Sequence, residues 1–194
     1  MSLDPKVVAE LTVALEVNSH LRVLRKKFAS TPLGMGYGET RFASIDRSFR
    51  LVYIASTLKT GIAETIIRDK FEDRLDRTLL TNEVGDWFAC EVSTKSALTM
   101  IDLRASGLLK LGVTTDATHA KRQDDGRRLS QNLYHNFNID GLLYSSRLTG
   151  EDCLAIYDRA IAKLKAGKAV NVSRLPTFLP ALTSLNVTVL SREA

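Results

Sequence analysis

The chain has 194 residues, 44% apolar and 25% charged, with a formal net charge of +5. That length suits one domain with a sizeable core, and the composition excludes collagen-like, disordered and disulfide-framework classes. Twenty-seven basic residues are interleaved with 22 acidic ones, as in Arg68-Asp69-Lys70, so the excess suits an anionic small molecule at least as well as nucleic acid. Cys90 and Cys153 form no CxxC pair and point to a reducing compartment. Asp4, Lys6 and Glu10 leave the start of the chain without a signal-peptide core, and no apolar run approaches the roughly 20 residues that span a bilayer. The expected location is the cytoplasm.

In chain order, a helix is predicted over residues 5–16, with Asp4 as cap and Pro5 at the first helical position. Residues 20–24 alternate like a strand. Residues 31–38 hold a proline and three glycines and read as a loop. Residues 51–55 form a short buried strand. A helix follows, starting within 56–60 and running to 74, with Ile62, Ala63, Ile66, Ile67 and Phe71 on its apolar face and Glu64 at the edge of that face. Strands are predicted at 87–92, 98–103 and 141–144, and a polar-rich helix at 122–136. Helical spacing also predicts a helix over 152–166 that stops at Gly167. Residues 184–190 read as a β-rich tail. Helices and short strands are interspersed without βαβ regularity, so the expected fold is α+β with a mixed or antiparallel sheet.

Several chemistries find no support. His20, His119 and His135 lack a partner at i+4, so no metal site is expected. Gly34, Gly36 and Gly38 neither follow a strand nor open a helix, and no Gly-Lys-Ser/Thr follows them. There is no Gly-x-Ser-x-Gly elbow. What remains is a set of polar residues among apolar neighbours: Arg22, Arg41 after the glycine loop, Tyr53, Glu64, and Ser145 with Ser146 leading into Arg147. Each also has a plain structural explanation: a solvated arginine, a core tyrosine, a surface acid near a helix start.

Together, three stretches resemble the RES domain family. They are Arg41-Phe42, then Leu51-Val52-Tyr53-Ile54-Ala55-Ser56, then Thr60-Gly61-Ile62-Ala63-Glu64-Thr65. The second half is similar too, from Leu129-Ser130-Gln131 through Ile139-Asp140-Gly141-Leu142-Leu143-Tyr144-Ser145-Ser146-Arg147. The resemblance makes the whole chain, 1–194, a single RES-type domain. Its core is 20–160, with the N-terminal helix and the β-rich tail as additions. It implies an ADP-ribosyltransferase-like fold and the toxin of a bacterial toxin–antitoxin pair that consumes NAD+ at the nicotinamide–ribose bond, by hydrolysis or phosphorolysis. By position, the family's arginines fall on Arg22 and Arg41, its tyrosine on Tyr53, its glutamate on Glu64 and its serine on Ser146. Ser145 stands where the related pattern often has proline. The long Glu64-to-Ser146 interval is assigned to a loop insertion around residues 116–126.

The chemistry accords with this carry-over. Arginine grips phosphate through a planar, bidentate fork, so Arg22 and Arg41 would hold the pyrophosphate. A carboxylate stabilises an oxocarbenium-like ribose, the role expected of Glu64. Tyr53 offers a ring face to the cationic nicotinamide. Ser146 would orient the ribose or carboxamide. Nicotinamide leaves as a neutral group, so no metal is required. The implied partner is a small Xre-type antitoxin; a homo-oligomer is left open. Two other readings stand beside this one: an ADP-ribosyltransferase that modifies a protein, and a non-enzymatic module that binds nucleic acid or a partner.

Overall fold

Asp4 caps the first helix, α1 (Pro5–Leu11): its carboxylate accepts the Lys6 amide at 2.9 Å, and Pro5 opens the first turn. The helix is shorter than predicted. At Thr12 the chain turns extended and becomes β1 (Thr12–Leu15), paired antiparallel with β6 (Leu98–Asp102). Val8 and Leu11 bury against one core from the helix, whereas Val13 and Leu15 pack from the strand against the core on the opposite face of the sheet. The computed structural model describes residues 3–71, 74–113 and 124–191.

The other strands are β2 (His20–Arg25), β3 (Leu51–Ala55), β4 (Thr78–Leu80), β5 (Trp87–Thr94), β7 (Gly141–Ser145), β8 (Asp152–Tyr157), β9 (Leu164–Ala166), β10 (Val170–Asn171) and β11 (Thr188–Leu190). One mixed sheet runs in the order β1-β6-β7-β8-β3-β2-β5-β10, with β9 also on β5. Among the described residues only β6 and β7 run parallel within it. A separate parallel pair joins β4 to β11. The expected α+β class with a mixed sheet is therefore what the chain adopts. Among the described residues no helix is long and apolar enough to cross a membrane.

The stretch 152–166 corrects the prediction of a helix. It forms β8, a 3-10 segment (Asp158–Lys163) and β9, and Gly167 follows a strand. The reason is position. β8 lies between β7 and β3, so Cys153 through Tyr157 are all buried, on both faces. A central strand covered on both sides shows a continuous apolar run, which periodicity cannot distinguish from a buried helix. The predicted helix at 122–136 is observed from Asp124 to Asn136, here α3. Its first two residues, His119, and residues 116–123 of the expected insertion lie outside the described residues. In the tail, a helix α4 (Phe178–Ser184) precedes β11.

Helix α2 follows β3 and spans 58–71. It is α-helical over Leu58–Ile62, opens into a π turn over Ala63–Ile67, and closes as α-helix over Arg68–Phe71. Thr57 caps it, its side chain accepting the Thr60 amide at 3.2 Å. Ile62, Ala63, Ile66, Ile67 and Phe71 are buried as predicted. At Gly61 a Cβ would come within 2.8 Å of Val23, so glycine lets the helix lie close on β2.

One face of the sheet carries two separate cores. Leu51, Ala55, Tyr144, Cys153 and Tyr157 pack with α1 and α3. Val23, Trp87 and Ala89 pack with α2 and α4. The boundary falls between β3 and β2, which share a single residue pair, Leu21 with Ala55. The sheet splits there, and the split opens a cleft.

Candidate active site

The cleft has a volume of about 180 Å³ and is lined by Arg22, Thr40, Tyr53, Gly61, Glu64, Thr65, Arg68, Tyr144 and Cys153, among others. Each wall has a local cause. Tyr53 and Ala55 project from β3 on the face they share with Tyr144 and Cys153 of β7 and β8. Glu64 comes from α2, within the π turn, a local widening of the helix common at functional sites.

Glu64 is held from behind. The Ser146 hydroxyl donates to its carboxylate at 2.6 Å. Ser146 is only 2% exposed, and its oxygen accepts the amides of Leu148 and Thr149 at 3.2 and 3.3 Å. With the oxygen so engaged, the hydroxyl proton is directed to Glu64. Ser145 instead ends β7, in register with Asp152. The hydroxyl that reaches the carboxylate is therefore that of Ser146.

Arg41 follows Thr40 of the cleft lining and lies within electrostatic reach of Glu64. Burial pushes its guanidinium down, and the Glu64 carboxylate is the main effect opposing this; Tyr144 and Tyr53 add to it and Arg147 subtracts. Arginine stays charged throughout. Among the described residues no hydrogen bond engages the Arg41 side chain. Its backbone position is set by Tyr53, whose hydroxyl hydrogen-bonds Thr40 at 2.8 Å and accepts the Phe42 amide at 3.3 Å. Burial pushes the Tyr53 phenol up to about 12, so it is neutral at physiological pH. Burial likewise raises Tyr144, and raises Cys153 with help from Glu64. The cleft thus holds neutral phenols and a neutral thiol around one carboxylate.

Arg22 departs from the expectation of a joint phosphate grip. Alternation along β2 puts it on the face of Leu24 and Cys90, opposite Tyr53. It borders the cleft at the split, but its terminal nitrogens donate to the carbonyls of Pro32 at 2.6 Å and Gly34 at 2.8 Å. The arginine anchors the glycine loop. Arg41, Tyr53, Glu64 and Ser146 are brought together, and Arg22 stands one step behind.

Thr40, Thr65, Arg68, Tyr144 and Cys153 also line the cleft and were not singled out from the sequence. Arg68 could have been found: it lies one helical turn after Glu64, a spacing that puts side chains on one face. Its charge reaches the Tyr53 phenol, while its guanidinium also donates to Asp69 at 3.0 Å. Tyr144 could have been paired with Tyr53 only by knowing that β7 and β3 flank β8.

Fold and site define a split mixed sheet with a cleft between its halves that holds Glu64, Arg22 and Arg68 among apolar side chains. The family model of the RES domain matches residues 20–177. The chain belongs to the RES domain family. It is 36% identical over 83 residues to the "Probable toxin y4kH" of Sinorhizobium fredii, a match spanning 42% of this chain and 65% of that protein. Its fold is that of a chain in the crystal structure of the M. tuberculosis MbcT–MbcA toxin–antitoxin complex. The TM-score is 0.67 at 12% identity, over 88% of this chain and 93% of the other.

Proposed function

We propose that this chain is the toxin of a bacterial toxin–antitoxin pair and that it destroys NAD+ by breaking the nicotinamide–ribose bond. Family membership, the likeness to a probable toxin and the shared fold support the first part. The observation that carries the second is Glu64, fixed at the split of the sheet by Ser146, lining the cleft and within electrostatic reach of the Arg41 cation.

In this reading the C1′–N bond of NAD+ breaks and its electron pair leaves with the nicotinamide nitrogen. The departing ring is neutral, and positive charge develops on the ribose. Glu64 lies beside that charge and stabilises it; Ser146 keeps the carboxylate oriented at no cost of reorganisation. Water or phosphate then adds to C1′. With water the products are ADP-ribose, nicotinamide and one proton, which Glu64 relays to solvent. Arg41 takes the pyrophosphate, and its planar, charged fork suits that anion. The Tyr53 ring lies along the nicotinamide, and its hydroxyl keeps the Arg41 segment in place. Arg22 holds the loop that leads into Arg41. No step calls for a metal. The site would act in the cytoplasm and be silenced by a cognate Xre-type antitoxin.

The test is to incubate the purified chain with NAD+, with and without inorganic phosphate, and identify the products by mass spectrometry. Free nicotinamide with ADP-ribose, or with its phosphorylated form when phosphate is present, supports the proposal. Intact NAD+ overturns it. ADP-ribose attached to a protein would move the chain to the transferase reading.

A further inference from the structure

The turn over residues 146–151 is fastened to α2 at two points. At one end Ser146 donates to Glu64. At the other, the Glu151 carboxylate accepts hydrogen bonds from the hydroxyls of Thr57 and Thr60 and pairs with Lys59. Thr60 is fully buried and also bonds Thr149 at 2.8 Å. The Glu151 backbone closes the turn, its carbonyl accepting the Ser146 amide at 2.7 Å. Gly150 at φ +72°, a conformation that favours glycine, lets the turn close tightly. So the first turn of α2 is locked to the end of the turn whose beginning holds Glu64 on the next turn of the same helix.

We infer that Glu151 is a positioning residue for the reaction: by tying the 146–151 turn to the start of α2, it sets where the Ser146 hydroxyl meets Glu64. The inference rests on the NAD+-cleaving reading for its catalytic consequence and on the hydrogen bonds alone for its structural one. Glu151 touches neither the cleft nor Glu64; its contacts are Lys59, Thr57, Thr60 and the turn itself. Without its carboxylate, the buried Thr60 hydroxyl loses an acceptor and the turn loses its tie to the helix. A group that stabilises developing charge is sensitive to displacements well under 1 Å.

The test is a cycle of E151A, S146A and the double variant, with E151Q as the conservative control. E151A should lower kcat about tenfold with KM within about twofold, since the loss falls on a group acting in the transition state. E151Q keeps an acceptor for both threonines and should recover most of that loss. In the S146A background E151A should cost less than about twofold, because the contact it supports is already gone. Equal losses in both backgrounds overturn the inference, as does an E151A enzyme with unchanged kcat. A second readout needs no substrate: hydrogen exchange at the Leu148 and Thr149 amides should quicken in E151A. Unchanged exchange overturns the tie even if wild type proves inactive on NAD+, an outcome that would sink the functional proposal separately.

Discussion

The two walls of the cleft are built differently. The acidic wall is fixed in advance: Glu64 sits on a buried helix, bonded to a serine whose oxygen is itself held by two amides, with Glu151 tying the turn to that helix. The other side is a loop with three glycines that reaches the cleft at Thr40, anchored through Arg22 at Pro32 and Gly34 and through Tyr53 at Thr40 and Phe42; the Arg41 fork that follows has no hydrogen bond among the described residues. The contrast has a physical sense. A group that stabilises a transition state gains from being oriented beforehand. A group that binds a flexible pyrophosphate loses little by being ordered on arrival.

If that division holds, variants should separate into turnover and binding effects. The largest is expected at Glu64: E64Q should fold normally and lose on the order of a hundredfold in kcat, the scale for a positioned electrostatic group. Nicotinamide release near the wild-type rate would remove Glu64 from the chemistry. On the other side, R41A should raise KM for NAD+ about thirtyfold through loss of the charge-assisted phosphate contact, with a smaller change in kcat; steady-state kinetics would show this, and an unchanged KM would break the comparison. S146A comes next, with kcat down about tenfold, matching about 1.5 kcal/mol for a hydrogen bond to a charged group. An S146A effect confined to KM would place the serine on the binding side. R22A should raise KM only about threefold, as the loop loosens while Arg41 remains; loop conformational entropy is the effect at work.

The smallest prediction concerns alkaline pH. The Tyr53 phenol moves from 10.0 to about 12 by burial, so between those values the folded chain holds a proton that the unfolded chain releases. Stability therefore falls as pH rises through that window. Y53F should lessen the slope in denaturant titrations at pH 10 to 12. An identical slope would mean that Tyr144 and Tyr157, also raised by burial, account for all of it.

Much of this was legible in the chain itself. β2, β3 and α2 carry clear alternation or helical spacing, and Tyr53 and Glu64 meet because β3 and α2 flank the split, while Arg41 comes from the loop before β3 and Ser146 from the turn after β7. The rest required the third dimension. The sequence shows no difference between Arg22 and Arg41, yet the parity of one strand sends the first to the other face of the sheet. β8 was mistaken for a helix because burial on both sides erases alternation. Helix α4 holds Pro180 in its first turn, where a missing amide costs little. Glu151 carries no motif, and its contacts with Thr57 and Thr60 span a separation of some 90 residues.

The most direct measurement is a crystal structure of the E64Q chain with NAD+ bound. The expected result is the nicotinamide ribose within hydrogen-bonding reach of residue 64 and the pyrophosphate on Arg41. A dinucleotide lying elsewhere, or one that leaves both positions untouched, would contradict it.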